Sequence, residues 1–396
     1  MYRAITDTDV EGKRLVVRAD LNVPLDDGRV TDATRIDRFA DGMKPFLDRG
    51  AALIILTHMG RPKGVADPAL SALQVKDSLS SALGVEVAFA LDCIGAQAID
   101  AANALQNGGV LLCENLRFHA GETKNDDAFA AELAKLGDLF VNDAFSCAHR
   151  AHASTEAIAH HLPAYAGPMM MEELNALSAA LEAPQSPSVA IVGGAKVSTK
   201  ISVLKNLVEK LDHVIIGGGM ANTFLFATGA PMGQSLHEAD QAETAKDIMA
   251  RATRAGCKVH LPTDVVVAQE FAAHAPHETV GAFSCPEDMM ILDAGPKSVE
   301  AFETVLKTCH TILWNGPLGA FEIEPFDTAT IQLAKAAAAR TSTGATSVAG
   351  GGDTAAALNH AGVTDAFTYV SSAGGAFLEW LEGKTLPGIA ALQDSK

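Results

Sequence analysis

The chain has 396 residues, 48% of them hydrophobic, and a formal net charge of −18. Such a length predicts two domains rather than one core, and such a charge argues against nucleic acid binding over the general surface, so any anionic ligand must be met by a local basic cluster. The six cysteines (93, 113, 147, 257, 285, 309) show no CxxC pair or close spacing and read as reduced thiols rather than a disulfide frame or zinc site, and no apolar run approaches the ~20 residues that cross a bilayer.

Met1-Tyr2-Arg3-Ala4 is followed by Asp7, Asp9 and Glu11 without an apolar signal core, so a cytoplasmic location is expected. Leu15-Val16-Val17 reads as a short buried strand that runs into Arg18-Ala19-Asp20-Leu21-Asn22-Val23-Pro24. Pro24 cannot continue a central strand, which puts Asp20 and Asn22 at the strand's C-terminal end, where open α/β sheets bind ligands. A helix from about Ala33 follows, with Ile36, Phe39, Ala40, Met43 and Phe46 at helical spacing and Gly50 as its stop. Arg35 falls in the first turn, where a cation opposes the helix dipole, so a ligand role explains it better than stability does. Residues 51–56 read as a fully buried strand opening into Thr57-His58-Met59-Gly60-Arg61-Pro62-Lys63-Gly64. Histidine, arginine and lysine in one such loop suit a small phosphorylated acid.

Strands at 85–90 and 109–116 bracket a helix at 95–105, and the second strand leads to Glu114-Asn115-Leu116-Arg117-Phe118-His119. A helix at 126–136 and a strand at 139–141 precede the run from Asn142 to His152, which carries Arg150. Strand after strand therefore ends beside basic residues: Arg18, His58 with Arg61, Arg117, Arg150. In a parallel sheet those ends share one edge. His149 and His152 lack a third ligand at a usual metal spacing.

Residues 169–181 read as a connecting helix, and Ala183-Pro184-Gln185-Ser186-Pro187-Ser188 as a linker. The pattern then restarts. A strand at 189–192 runs into Gly193-Gly194-Ala195-Lys196-Val197-Ser198-Thr199-Lys200 and a helix at 201–211; two glycines and two lysines there suggest a phosphate-binding turn, although not a P-loop. A strand at 214–216 leads to Gly217-Gly218-Gly219-Met220-Ala221-Asn222, where Asn222 breaks the dinucleotide fingerprint but the glycines still admit a flat base or ribose. A helix at 238–255 and strands at 258–261, 265–267 and 289–292 follow. Residues 311–313 open into Trp314-Asn315-Gly316-Pro317-Leu318-Gly319-Ala320-Phe321-Glu322, which offers apolar walls for a base and one carboxylate for ribose hydroxyls. Ser347-Val348-Ala349 then reaches Gly350-Gly351-Gly352-Asp353-Thr354. Its glycines expose N–H groups, a helix beginning near Thr354 aims its positive end at the same place, and Asp353 suits a cation bridging phosphates. A plain strand–turn–helix corner capped by Asp353 would look the same from this stretch alone. After a strand at 367–370, residues 371–375 open a last helix. The alternation predicts an α/β chain with two doubly wound, Rossmann-like parallel-sheet domains joined by a connecting helix and hinge.

Nine runs in this order carry a resemblance: RADLNVP (18–24), THMGRPKG (57–64), ENLRFH (114–119), NDAFSCAHRAHAST (142–155), GGAKVSTK (193–200), GGGMANTF (217–224), WNGPLGAFE (314–322), GGGDTAAA (350–357) and LEWLEGKTLPG (378–388). Over nearly its full length the chain resembles the phosphoglycerate kinase family. The resemblance implies a 3-phosphoglycerate domain at 1–168 that uses Asp20, Asn22, Arg35, His58, Met59, Gly60, Arg61, Arg117 and Arg150. It implies a connecting segment at 169–188 and a nucleotide domain at 189–373. There Lys196 and Lys200 would meet phosphates, Asp353 a Mg2+ ion and Glu322 the ribose. Gly194, Gly218, Leu292 and Pro317 would wall the nucleotide site, with Asn315, Gly352, Thr354 and Ala355 completing it. The reaction implied is reversible phosphoryl transfer between ATP and the carboxylate of 3-phosphoglycerate in a monomer that closes about a hinge. Arg35, Lys200 and the turn N–H groups, those of Gly351 and Gly352 among them, would stabilise the moving group. Residues 374–396 would return to the first domain.

Ser146-Cys147, Ser371-Ser372-Ala373 and Phe377 depart from the commoner residues of that family. A nicotinamide-dependent dehydrogenase is a weaker alternative, given Asn222 and the lysines at 196 and 200. A catalytically silent nucleotide-binding scaffold is the alternative from another class, and retention of the basic set with Lys200 and Asp353 argues against it.

Overall fold

A strand that returns through a helix re-enters its sheet in the same direction, so strict alternation of the two produces parallel sheets. The structure, a computed structural model describing residues 2–394, contains two six-stranded parallel sheets, one in each of two packing units. The first unit is built from the chain up to Glu173 together with residues from Thr385 onward, and the second runs from Leu174 to Lys384.

In the first unit the strands lie in the order Val87–Ala90, Val110–Cys113, Ala52–Leu56, Arg14–Arg18, Leu139–Asn142, Ala164–Ala166. Arg14–Arg18 is central, and the chain winds outward from it in both directions. Arg18 is level with Leu56 on one side and Asn142 on the other, so the loops beginning at Ala19, Thr57 and Asp143 leave the sheet side by side. Helix Thr34–Asp48 lays Ile36, Phe39, Ala40, Met43 and Phe46 into the core, the stripe that its spacing predicts. The tail helix Pro387–Asp394 belongs to this unit, where the Gly388 N–H donates to the Ala148 carbonyl at 2.9 Å.

The second unit orders its strands Lys258–His260, His213–Ile216, Ser188–Val192, Thr311–Asn315, Thr346–Gly350, Tyr369–Ser371. Helices Pro296–Thr308 and Thr328–Ser342 contribute Phe302, Leu306 and Leu333 to its core beside Trp314. A feature absent from the alternation is a three-stranded antiparallel sheet, with Asp264–Ala268 between His277–Gly281 and Met290–Ala294. His277–Gly281 is mostly exposed, so it carries no apolar run to betray it.

The boundary between the units falls inside the expected connecting segment 169–188, and the boundary in the tail differs from expectation. Packing divides the chain inside helix Pro168–Leu177, which continues as a π-helical turn at Ser178–Glu182, and not in the polar stretch 183–188. That stretch is tied into the second unit: the Gln185 N–H donates to Thr311 Oγ1 at 2.9 Å, and the Ser188 N–H and hydroxyl both donate to Asp212 Oδ2 at 2.8 Å. The tail 374–396 is likewise split. Helix Gly375–Leu381 stays with the second unit, where Asn206 Nδ2 donates to the Leu381 carbonyl at 2.7 Å. The fully buried ring of Phe377 lies against Gly350, so close that a Cβ there would sit 2.7 Å from it. Gly350→Ala should therefore lower stability by about 1–3 kcal/mol through overpacking. Thermal melting checks this, with Phe377→Leu expected to recover part of the loss; the same deficit in both backgrounds would show that the ring is not the obstacle.

Candidate functional site

At the C-terminal edge of the first sheet, four loops are joined by one chain of hydrogen bonds. Arg35 Nη1 meets Asp20 Oδ2 at 3.1 Å and the Asn22 carbonyl at 3.0 Å. Asn22 Oδ1 accepts from the Gly60 N–H at 3.0 Å, and the Gly60 carbonyl accepts from Arg117 Nη1 at 2.7 Å. The Met59 carbonyl is held by Asn115 Nδ2 at 2.8 Å. Ser146, one of the departures noted above, donates its hydroxyl to Asp20. Arg61 is exposed on the second loop and Arg150 donates Nε to His149 Nε2 at 3.1 Å.

Behind this network lies Arg18, fully buried, with Nε on Ser154 Oγ at 2.9 Å and Nη2 on His58 Nδ1 at 3.0 Å. Arginine has no acceptor, so His58 Nδ1 must be the accepting nitrogen and the ring proton sits on Nε2. Burial, then the charges of Arg18, Arg117 and Arg150, push the His58 pKa far below the usual histidine range. The same causes bring His152 down to about 4. Both rings are neutral at pH 7. The positive charge of this edge is carried by arginines, which stay charged, and His58 is left as a neutral donor. Such a set, in a chain of net charge −18, suits a small anion.

The second sheet presents backbone at the corresponding edge. Strands Ser188–Val192, Thr311–Asn315 and Thr346–Gly350 each end in a glycine turn. Gly193 allows two of these turns to touch, since a Cβ there would fall 1.7 Å from the Pro317 carbonyl oxygen. Gly351, at φ +100°, caps helix Gly352–His360, whose first N–H groups have no partner within the helix. Thr354 Oγ1 accepts from the Gly316 N–H at 2.8 Å and Asn315 Nδ2 donates to the Gly350 carbonyl at 2.7 Å, locking the turns together. Lys200 Nζ sits among them, donating to the carbonyls of Gly193 at 2.8 Å and Asn315 at 3.0 Å. Burial lowers its pKa to about 8, with the Asp353 charge acting in the opposite direction.

A cavity of about 500 Å³ opens beside these turns. Gly194, Gly218, Leu292, Pro317, Glu322 and Asp353 line it, the last two as exposed carboxylates. Lys196, Lys200, Asn315, Gly351, Gly352, Thr354 and Ala355 are not in its wall; apart from Lys196, which is exposed just before the turn Val197–Thr199, they form or brace the turn region described above. The sequence reading missed Leu236 and Phe271, two exposed apolar side chains of the wall. It also missed Asp293, a buried carboxylate whose two oxygens accept from the N–H groups of Ala294 and Ala329, each at 2.9 Å. Leu236 and Phe271 lie outside the glycine turns, in stretches without motif character. Asp293 stands in the run Asp293-Ala294-Gly295-Pro296, where an acidic residue before Gly-Pro was the available signal.

The family model described as phosphoglycerate kinase matches residues 5–384. The chain is 59% identical over 394 residues to the phosphoglycerate kinase of Methylobacterium radiotolerans, covering 99% of this chain and 98% of that one. It is 58% identical over 394 residues to that of Zymomonas mobilis, covering 99% of each. Among solved structures, phosphoglycerate kinase from Coxiella burnetii matches with a TM-score of 0.94 at 41% identity over the whole of both chains. That from Pyrococcus horikoshii matches with a TM-score of 0.81 at 30% identity, covering 100% of this chain and 99% of that one.

Proposed function

The chain belongs to the phosphoglycerate kinase family, and we propose that the arginine-lined edge of its first sheet holds the phosphoglycerate while the glycine-lined edge of its second holds the nucleotide. It is a glycolytic phosphotransferase that moves a phosphoryl group reversibly between 1,3-bisphosphoglycerate with ADP and 3-phosphoglycerate with ATP. The dehydrogenase alternative is set aside by that membership. The observation that carries the residue assignment is the buried arginine network around neutral His58, an anion site in a strongly acidic chain.

The acceptor is a carboxylate, ionised at neutral pH because its pKa lies near ~4. No general base is needed, and the work left to the protein is positioning and charge stabilisation. His58 Nε2–H, Arg61, Arg117 and Arg150 are proposed to bind the phosphate and carboxylate of the acid. Asp20 and Asn22 offer acceptors to its hydroxyl. On the nucleotide side, Lys200 and the N–H groups of Gly351 and Gly352 are proposed to meet the transferred group, with Lys196 on the phosphates and Glu322 on the ribose. Gly350, closed off by Phe377, ends the strand and leaves the turn to the next two glycines. The exposed oxygen donor of Asp353, on the cavity wall in a helix's first turn, fits a hard cation, so it would hold the Mg2+ that neutralises phosphate charge.

A coupled assay for ATP-dependent turnover of 3-phosphoglycerate tests the reading. Binding of both ligands without turnover would leave the silent scaffold. The working form is proposed to be a cytoplasmic monomer, as the resemblance implies. Transfer requires the reacting atoms at roughly 3–3.5 Å. The complex with both ligands is accordingly expected to be more compact than the free protein or either binary complex. Small-angle scattering with an unreactive nucleotide analogue checks this; one radius of gyration in all four states would remove closure from the mechanism.

A further inference from the structure

Among residues not assigned above to either ligand, three different donor types converge from two segments of the first unit. Asp92 and Cys93 follow strand Val87–Ala90, and His119 follows the turn Leu116–Phe118. Their ligand atoms, a carboxylate oxygen, a thiol sulfur and an imidazole nitrogen, lie within 4.8 Å of one another, and no other group of three such residues does so among the described residues. His119 Nε2 is 2.7 Å from Asp92 Oδ1. The His119 ring is steadied against Phe129, with centroids 5.1 Å apart. Cys93 is buried, whereas the Asp92 and His119 side chains are part-exposed. The cluster is thus closed at the sulfur and open toward solvent at the oxygen and nitrogen.

We propose that Asp92, Cys93 and His119 bind one divalent cation of the zinc class, with three protein ligands and a solvent molecule in the fourth position. Oxygen, nitrogen and sulfur together select against Mg2+ and Ca2+, which take oxygen ligands. Bonds of about 2.0–2.3 Å in a tetrahedron need ligand atoms roughly 3.2–3.7 Å apart. The Asp92–His119 pair must open by about half an ångström and the sulfur move inward by up to about one, adjustments within reach of side-chain rotation. Binding exchanges the Cys93 S–H bond for a metal–sulfur bond and releases that proton to solvent; the proton that His119 Nε2 donates to Asp92 is displaced as well, moving to Nδ1 in a neutral ring or to solvent from a charged one. The bland alternative is an ordinary histidine–aspartate pair beside a structural thiol. Cysteine spacing alone could not disclose the site, because two of the three donors are not cysteines and one comes from another loop.

The test is a Co2+ titration of the full-length, chelator-treated protein. The expected result is one bound cobalt per chain with a thiolate-to-cobalt charge-transfer band, displaced by Zn2+. His119→Gln and Asp92→Asn alter part-exposed side chains and should stay folded by circular dichroism; each should weaken binding by at least about 10-fold. Cys93→Ser should abolish the band. Absence of a charge-transfer band in the unaltered protein overturns the proposal, a result that does not depend on any variant folding. So does a band that keeps its affinity in both His119→Gln and Asp92→Asn, since cobalt would then sit on another thiol.

Discussion

Lys200→Met is expected to lower kcat by about 10²–10³-fold, the loss typical of removing one preorganised charge-stabilising donor. The ammonium has three donors, and two are spent on the carbonyls of Gly193 and Asn315, which fixes Nζ between the ends of two neighbouring strands. The third is free for a ligand oxygen. Methionine keeps the length of the side chain but removes charge and donors. Its effect on stability should be small because two contributions oppose. The carbonyls lose a partner, but the cost of burying a cation disappears. That cost has a defined pH window. Burial lowers the Lys200 pKa from 10.5 to about 8, so between those values the unfolded chain binds the proton and the folded one does not. Stability from this group therefore rises with pH across the window, and the penalty is fully present below about 8. Activity has the opposite slope. The free enzyme loses the ammonium as pH rises through about 8, so kcat/KM for the nucleotide should fall there. Bound phosphate favours the charged form, so kcat should hold to higher pH. Steady-state kinetics across pH 6–10 on wild type and variant check both limbs; a variant kcat within a factor of about three of wild type would remove Lys200 from the chemical step.

Arg35→Ala is expected to cut kcat by about 10²-fold or more, whereas Arg61→Ala should chiefly raise KM for 3-phosphoglycerate. The two arginines differ in how they are held. Arg35 is part-buried and clamped by Asp20 and the Asn22 carbonyl, so it is positioned before any ligand arrives. Preorganisation of that kind is what charge developing in a transition state rewards. Arg61 is exposed on its loop, and a long side chain ordered only by ligand contributes to binding in ground and transition state alike. Removing Arg35 also leaves Asp20 without its cation beside an anionic substrate, so Arg35→Ala should raise KM as well. The double variant Arg35→Ala, Asp20→Asn should recover that part while kcat stays low. Small, equal effects from Arg35→Ala and Arg61→Ala would mean that both are surface charges.

What the sequence determined by itself is the part of this protein that rests on local chemistry. Helix and strand periods are set by neighbours a few residues apart, and they were enough for the alternation and for the buried stripe of helix Thr34–Asp48. Arg18, His58, Arg117, Lys200 and Asp353 stand just beyond or at the ends of strands and in the turns that follow, where parallel topology alone brings them to a sheet edge. Nine ordered runs sufficed to identify the family.

Tertiary structure decided whatever depends on partners distant in sequence. The mostly exposed strand His277–Gly281 exists because Asp264–Ala268 pairs with it, so its own residues do not announce it. The packing boundary falls within helix Pro168–Leu177 because the polar stretch after it is hydrogen-bonded into the second unit, a choice that composition could not reveal. Phe377 explains why residue 350 must lack a Cβ, a steric limit set by a ring twenty-seven positions away in the chain. The proton on His58 Nε2 is likewise non-local. It follows from a single arginine reaching the other ring nitrogen at 3.0 Å from a neighbouring strand. Burial and hydrogen-bond partnership are properties of the packed chain, and a spacing rule along the sequence contains neither.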